Sequence, residues 1–363
     1  MTTTGAQAGG ATARAFPPIW LRDNCPCERC RDPRNGQKLF GIGDLPADLT
    51  VRDTTVSADA VTVTFGPDGH RGAFSRAWLE AQASPSNGDG RTEAAKQLWS
   101  ARDLDGRLPA ADWAAYRDDP AERARVLRAV RDLGFALLHG TPTGEETVLA
   151  IARTFGFPRE TNYGTLFDVR VEPNPSNLAF TGMRIAPHTD NPYRDPVPTL
   201  QLLHCLTNAA EGGDSGLLDG FTAASLLRAE DAEAFRVLTT TLVPFAWSDA
   251  STSLRADRPL IDVDPGGHIR EVRFNNRSMQ ALRLAPAATT AFYAAYRRFA
   301  EIIARPELLL TFRLDPGDCV IFDNTRLLHA RTAFAETGSR HLQGCYADLD
   351  ALTSALRTLE ETA

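Results

Sequence analysis

The sequence predicts an α+β protein, a large domain built on a β-sandwich or jelly roll that follows a small β-rich unit. Three observations lead there. The segments LTVRDTTVSADAVTVTF (49–65) and GHRGAFSRAWL (69–79) alternate apolar and polar residues with turn signals between them, as strands do. The strongly apolar runs TLQLLHCL (199–206) and GDCVIFDN (317–324) lie far apart, with helical patterns near 222–238 and 287–304 between them, and separated strands wrapped by helices fit a sandwich or jelly roll. Finally, 363 residues at 43% hydrophobic and 23% charged make an ordinary globular composition, long enough for one large domain or two unequal ones.

Taken in order, residues 1–15 are Gly, Ala and Thr without periodicity and read as a disordered tail. A small β-rich domain over 16–80 follows. Residues 81–112, rich in Ser, Gly, Asn and charge, read as a linker to a catalytic domain over 113–363. In that domain Ala121–Leu133 has helical spacing and runs into Gly134 and the apolar strand FALLHG; a second helix is expected near Glu145–Phe155. SRHLQGCYAD (339–348) reads as another strand, and 349–361 as a closing amphipathic helix. There is no Gly-rich phosphate loop, no GxSxG elbow and no repeat.

Charge and composition remove several functions. Lys plus Arg number 39 against 46 Asp plus Glu, and a net charge of -7 argues against neutralising nucleic-acid phosphates. No apolar run reaches the roughly 18 to 20 residues of a membrane span, and the first residues lack the apolar stretch of a secretory signal, so a cytoplasmic protein is expected.

The six cysteines are unevenly placed. Cys205, Cys319 and Cys345 sit in apolar segments and read as small buried hydrophobes. Cys25, Cys27 and Cys30 are clustered, which in a reducing compartment suggests metal rather than disulfides. The first histidine beyond them, His70, completes a Cys3His set of the kind that holds structural zinc; free thiols are the alternative.

Seven histidines allow individual scrutiny. His188 and Asp190 are two residues apart, so in an extended segment both side chains share a face. One imidazole and one carboxylate there supply two ligands of the 2-His-1-carboxylate arrangement that leaves open positions on Fe(II), although a polar turn before Pro192 gives the same string. His329 follows the strand GDCVIFDN, and Arg340 lies eleven residues later on an apparent strand, where a guanidinium suits a bound carboxylate. His204 and His341 read as hydrogen-bonded strand residues, His139 and His268 as turn residues.

These strings also carry a resemblance. HTD (188–190), GGDSGLLDG (212–220), FDNTRLLHAR (322–331), SRHLQGCYAD (339–348) and WLRDNCPCERC (20–30) resemble the γ-butyrobetaine hydroxylase family, within the wider taurine-dioxygenase-like Fe(II)/2-oxoglutarate oxygenases. The resemblance runs from about Trp20 to the C-terminus. It implies a double-stranded β-helix catalytic domain in which His188, Asp190 and His329 hold iron, Arg340 binds the distal carboxylate of 2-oxoglutarate and Ser215 assists it. It points to His70 as the fourth zinc ligand. Family members usually carry an extra pair of short strands before the Trp-Leu-Arg-Asp-Asn string, so a trimmed N-terminal unit is expected here, and a homodimer is a further expectation.

The implied reaction couples 2-oxoglutarate and O2 to hydroxylation of an unactivated C–H in a small quaternary-ammonium zwitterion. The implied cage for the cation is Tyr163, Phe167, Phe180 and Tyr346. At the anionic end, Asn191, Tyr193, Asn276 and Arg277 resemble residues of the related (2-trimethylammonioethyl)phosphonate hydroxylases, and offer many donors to a three-oxygen anion. Pairing of Arg194 and Arg277 with Asp195 or Glu271 on a solvated face is the alternative. γ-Butyrobetaine and the phosphonate therefore stand side by side as substrates, followed by another amino-acid-like metabolite. From other classes, a zinc hydrolase would leave Arg340 without a task, and a zinc-bearing interaction module would explain residues 20–80 alone.

Overall fold

The computed structural model describes residues 16–83, 96–104, 106–171, 181–335 and 338–362; the expected tail over 1–15 lies outside them. Its contacts divide the chain into units spanning 1–93 and 94–363. No helix among the described residues is long and apolar enough to cross a membrane.

In the first unit, helix α1 (Pro18–Asp23) precedes an antiparallel sheet of β1 (Thr50–Val56), β2 (Ala60–Gly66) and β3 (Arg71–Ser75). Strand β2 alternates strictly, with Val61, Val63 and Phe65 buried beside Leu21, Phe74 and Leu79 in a core that also takes in Cys25 and Cys30. The strand expected over 69–79 ends at Ser75, and helix α2 (Arg76–Ala83) takes over. The last residues of that stretch, with Leu79 as the buried anchor, are good helix formers and find no further strand to pair with.

The second unit is a double-stranded β-helix. One sheet has the order β4-β5-β15-β8-β17-β6, from β4 (Ala110–Asp112), β5 (Phe135–His139), β15 (Cys319–Asp323), β8 (Leu200–Asn208), β17 (Arg340–Ala347) and β6 (Phe167–Arg170). The other has the order β14-β9-β16-β7, from β14 (Leu309–Phe312), β9 (Ser215–Asp219), β16 (Leu327–Arg331) and β7 (Ile185–His188). Strands β8 and β15, apolar on both faces, are central because both of their faces are covered. The tail of the expected linker is part of this fold: residues 101–104 are helical and β4 pairs in parallel with β5, giving the edge strand its ladder bonds. His139, expected in a turn, ends β5.

Helix α4 (Pro120–Leu133 by its residues) shows why the helices begin and end where they do, counting α3 as Trp113–Asp118. Asp119 caps it through Ala121 N–H, Pro120 takes the first turn, and Gly134 leaves it at φ 89°. The chain then turns directly into β5. Helix α5 (Thr147–Ala152) is shorter than its expected bounds, while α6 (Gly220–Glu230), α7 (Ala232–Thr240), α8 (Pro286–Ile303) and α9 (Leu349–Thr362) match the periodic segments. A buried pair ties this framework together: Arg326 donates to both oxygens of Asp219 and to the carbonyls of Asp132 and Gln97. Every charge in that cluster is met by a partner, as a buried guanidinium requires.

Candidate functional site

The cavity between the two sheets has a volume of about 460 Å³ and gathers residues from all along the second unit. His188 ends β7 and His329 lies on β16, and the two are direct partners in that antiparallel pairing. Asp190, two residues beyond His188, brings its carboxylate back between them. Its Oδ1 lies 3.4 Å from His188 Nε2 and its Oδ2 3.7 Å from His329 Nε2. The three ligand atoms are mutually within 4.8 Å, the donor set of a 2-His-1-carboxylate metal centre.

The surroundings set the protonation states such a centre needs. His188 Nδ1–H donates to Ala186 O at 2.9 Å, which leaves Nε2 as the free lone pair. Burial, reinforced by His188, pushes His329 down to about 3, so its ring stays neutral. Burial works to raise the Asp190 carboxyl, yet His329, His188 and Arg277 hold it well below the usual carboxylate range. Asn324 fixes the backbone of Asp190, accepting its N–H at 2.8 Å and donating to its carbonyl at 3.0 Å. Tyr346 O–H reaches the Asp190 Oδ2 at 3.2 Å.

The cavity wall also holds Arg340, 6% exposed, whose Nε has no hydrogen-bond partner among the described residues. A buried guanidinium without a carboxylate is costly unless a ligand supplies one. Its ring contact is Phe334, 5.4 Å away, and Gly213, at φ 72°, leaves the space that a side chain would take from it. Ser215, at the start of β9, lines the same cavity and is the register partner of Arg331.

Another stretch of the wall is aromatic. Tyr346 lies 5.1 Å from Phe167, Phe167 6.5 Å from Tyr163, and Tyr163 5.6 Å from Trp247, which also stacks on Tyr193 at 6.0 Å. Phe167 approaches so closely because its cross-strand partner is Gly344, where a Cβ would fall 2.4 Å from the ring. Tyr163 O–H donates to Tyr193, and Tyr193 donates to Asn191 Oδ1 at 2.8 Å. That chain orients the Asn191 amide so that Nδ2, buried and without a partner among the described residues, is left to donate. Asn191 itself holds φ 57°, a left-handed conformation that Asn tolerates better than most residues.

The expected site residues therefore divide. His188, Asp190, His329, Arg340, Ser215, Tyr163, Phe167, Asn191, Tyr193, Arg277 and Tyr346 all line this cavity. Asn276 does not. It is exposed and opens onto a neighbouring cleft alone, whereas the turn after β13 (Ile269–Val272) buries Asn275 and leaves Arg277, itself exposed, on the rim shared by cavity and cleft. Phe180 lies outside the described residues. The solvated pairings considered for the arginines do not form: Asp195 is taken by Arg258, Glu271 by Arg273, and Arg194 donates to Asn162. Sequence reasoning, which placed Asn275 beside Asn276 and Arg277 in VRFNNRS, missed Trp247 and Ser278. Trp247 arrives on the hairpin of β10 (Val243–Ser248) and β11 (Ser253–Arg258), where a single aromatic in an alternating strand gives no signal of what it faces.

The cysteine cluster assembles in the first unit. His70 Nε2 lies 3.2, 3.7 and 3.5 Å from the sulfurs of Cys25, Cys27 and Cys30. Tetrahedral zinc, with Zn–S of about 2.3 Å and Zn–N of about 2.0 Å, places sulfur and nitrogen about 3.5 Å apart. The four residues fit that ion, and burial pushes the unliganded Cys25 thiol up to about 12. Cys205, Cys319 and Cys345 are buried as single residues, as their apolar settings imply.

Comparison with known proteins agrees with this geometry. Residues 93–346 match the taurine catabolism dioxygenase TauD, TfdA family, and residues 9–80 match the gamma-butyrobetaine hydroxylase-like N-terminal family. A gamma-butyrobetaine dioxygenase of Pseudomonas sp. (strain AK-1) is 38% identical over 350 residues, covering 95% of this chain and 90% of its own. A trimethyllysine dioxygenase of Meyerozyma guilliermondii is 29% identical, with 97% and 92% covered. Among solved structures, a taurine dioxygenase from Burkholderia xenovorans shares the fold at a TM-score of 0.50 and 17% identity, over 66% of this chain and 87% of that one.

Proposed function

We propose, for a chain that belongs to the TauD, TfdA dioxygenase family and carries a gamma-butyrobetaine hydroxylase-like N-terminal unit, a specific division of labour within one cavity. The protein is an Fe(II)- and 2-oxoglutarate-dependent dioxygenase that hydroxylates a quaternary-ammonium substrate. In the proposed assignment His188, Asp190 and His329 hold the iron, Arg340 and Ser215 bind 2-oxoglutarate, and Cys25, Cys27, Cys30 and His70 hold structural zinc. Bound iron and 2-oxoglutarate supply the oxidation: O2 delivers one oxygen atom to the substrate C–H, the other to succinate, and CO2 leaves. The protein's own residues orient the reactants. Arg340, buried in the cavity wall, meets the carboxylate with its charge, Asn324 and Tyr346 hold Asp190, and the aromatic walls flank the bound substrate.

The proposed substrate is a zwitterion whose trimethylammonium end rests on Tyr163, Phe167, Tyr346 and Trp247, and whose other end is a phosphonate. The observation that carries the phosphonate is Arg277, which lines the cavity with no ion-pair partner among the described residues and shares it with the amides of Asn191 and Asn275 and the hydroxyl of Ser278. That is a rich donor set for one anion, and a tetrahedral anion with three acceptor oxygens uses more of it than a flat carboxylate. γ-Butyrobetaine is the second reading, supported by the name of the Pseudomonas relative.

The test compares kcat/KM for (2-trimethylammonioethyl)phosphonate and γ-butyrobetaine in wild type, Arg277→Ala and Trp247→Ala. Trp247→Ala should lower both alike, by about 0.5–2 kcal/mol for one cation-π face. Arg277→Ala should cost the phosphonate about 1.5–3 kcal/mol, as for the loss of a charge-assisted hydrogen bond, and the carboxylate less. A wild-type preference for γ-butyrobetaine, with Arg277→Ala affecting both equally, overturns the phosphonate and leaves carnitine formation.

A further inference from the structure

Beside the substrate cavity lies a second cleft of about 690 Å³, between the outer strand β7, the turn at 274–277 and helix α8. The two share His188, Asn275 and Arg277, so the turn is a common wall. Three guanidinium groups reach the cleft: Arg184 from the start of β7, Arg277 from the turn and Arg297 from α8. Arg184 and Arg277 pair with no carboxylate among the described residues, and Arg297 meets Glu301 in a largely exposed pair at 3.2 Å. In a chain with a net charge of -7, most of whose described arginines find an acid or a carbonyl, two guanidinium groups without an ion pair beside a third in an exposed one make a local concentration of positive charge. Asn276, absent from the substrate cavity, adds an amide here, and Tyr293 and Tyr296 line the α8 side.

We infer that this cleft is a second anion-binding site, distinct from the substrate cavity, for a small organic anion that passes from it over the Arg277 wall. Paired guanidinium donors and an amide suit the tetrahedral phosphonate and the dicarboxylate alike. The cleft concentrates whichever of the two it takes next to the reaction site, as a basic funnel raises the local concentration of an oppositely charged ligand. This site stands whether the substrate is a phosphonate or a carboxylate, because 2-oxoglutarate is itself a dianion.

The probe is inorganic phosphate, titrated calorimetrically into the full metal-free chain. Arg184→Ala combined with Arg297→Ala removes two charges that line the cleft and not the substrate cavity; both side chains are exposed, and an unchanged thermal midpoint checks the fold. Phosphate affinity should fall at least fivefold in this variant and hold within twofold in Arg340→Ala. The reverse pattern, or equal binding by wild type and the double variant, overturns the proposal. Displacement of bound phosphate by 2-oxoglutarate or by methylphosphonate identifies which anion the cleft takes, and displacement by neither also overturns it.

Discussion

His188 and His329 face each other as direct partners across β7 and β16, their rings 4.1 Å apart at the centroids. They are 141 residues apart in sequence, from the numbering, and only the antiparallel register of the smaller sheet makes them neighbours. The same register sets Asp190 just past the strand end, where the chain is free to turn its carboxylate back toward both rings. A slip of one residue in β16 would send His329 to the opposite face.

Removing one of these ligands should therefore remove the metal without unfolding the sheet. His329→Ala should fail to retain Fe(II) on anaerobic gel filtration and should form no succinate, with an unchanged far-ultraviolet spectrum. More than a few per cent of wild-type succinate formation in that variant would contradict the assignment.

Arg340 should be felt through the cosubstrate alone. Its replacement by Gln keeps a shorter polar side chain and removes the charge that a buried carboxylate needs, at about 2–5 kcal/mol. The 2-oxoglutarate concentration for half-maximal rate should rise thirtyfold or more. The KM of the quaternary-ammonium substrate, measured at saturating cosubstrate, should stay within a fewfold of wild type. A rise under threefold for 2-oxoglutarate would place its carboxylate elsewhere.

The thiolate cluster should contribute stability rather than turnover. Metal analysis should find about one zinc per chain that weak chelators leave in place, since the ion replaces core that a three-stranded unit this small cannot bury. Cys27→Ser should lower the thermal midpoint of the first unit while the folded fraction keeps its specific activity. Equal zinc in wild type and in a Cys25, Cys27 and Cys30 triple variant would show free thiols.

Acid should destabilise the second unit through His204. This residue is fully buried on β8, and its Nε2–H donates to Thr141, whose hydroxyl donates onward to Gly317 O. Burial pushes it down to about 4. The unfolded chain takes up this proton near pH 6.5 and the native protein only near 4, so between those values the unfolded state binds more protons and stability rises with pH. About 3 kcal/mol is present above pH 6.5 and is lost as the pH falls to 4. Urea midpoints from pH 7 to 4.5 should fall more steeply for wild type than for His204→Gln; identical slopes would remove His204 as the cause.

Much of the chemistry is readable in the sequence because it is local or strongly patterned. The H-x-D string sets two ligands on one extended face by the period of a strand, and the spacing of Cys25, Cys27 and Cys30 is close to a metal site before any folding. Helices such as Pro286–Ile303 announce themselves because one face must be apolar over several turns. The family resemblance carried His329, Arg340 and the aromatic cage further than spacing alone could.

What packing decided is the identity of the walls. Asn275, Asn276 and Arg277 are consecutive and polar, and nothing in their order says that Asn276 alone turns away from the substrate cavity; the backbone path after β13 does. Trp247 reaches the cage only because its hairpin folds over Tyr163 and Tyr193. The free amide of Asn191 exists because Tyr193 occupies its carbonyl oxygen. Sequence determined which reactive groups the protein owns, since side-chain chemistry and short-range spacing are written residue by residue. Tertiary structure decided which of them meet, because a cavity is bounded by segments whose approach depends on register and on the burial of all the others.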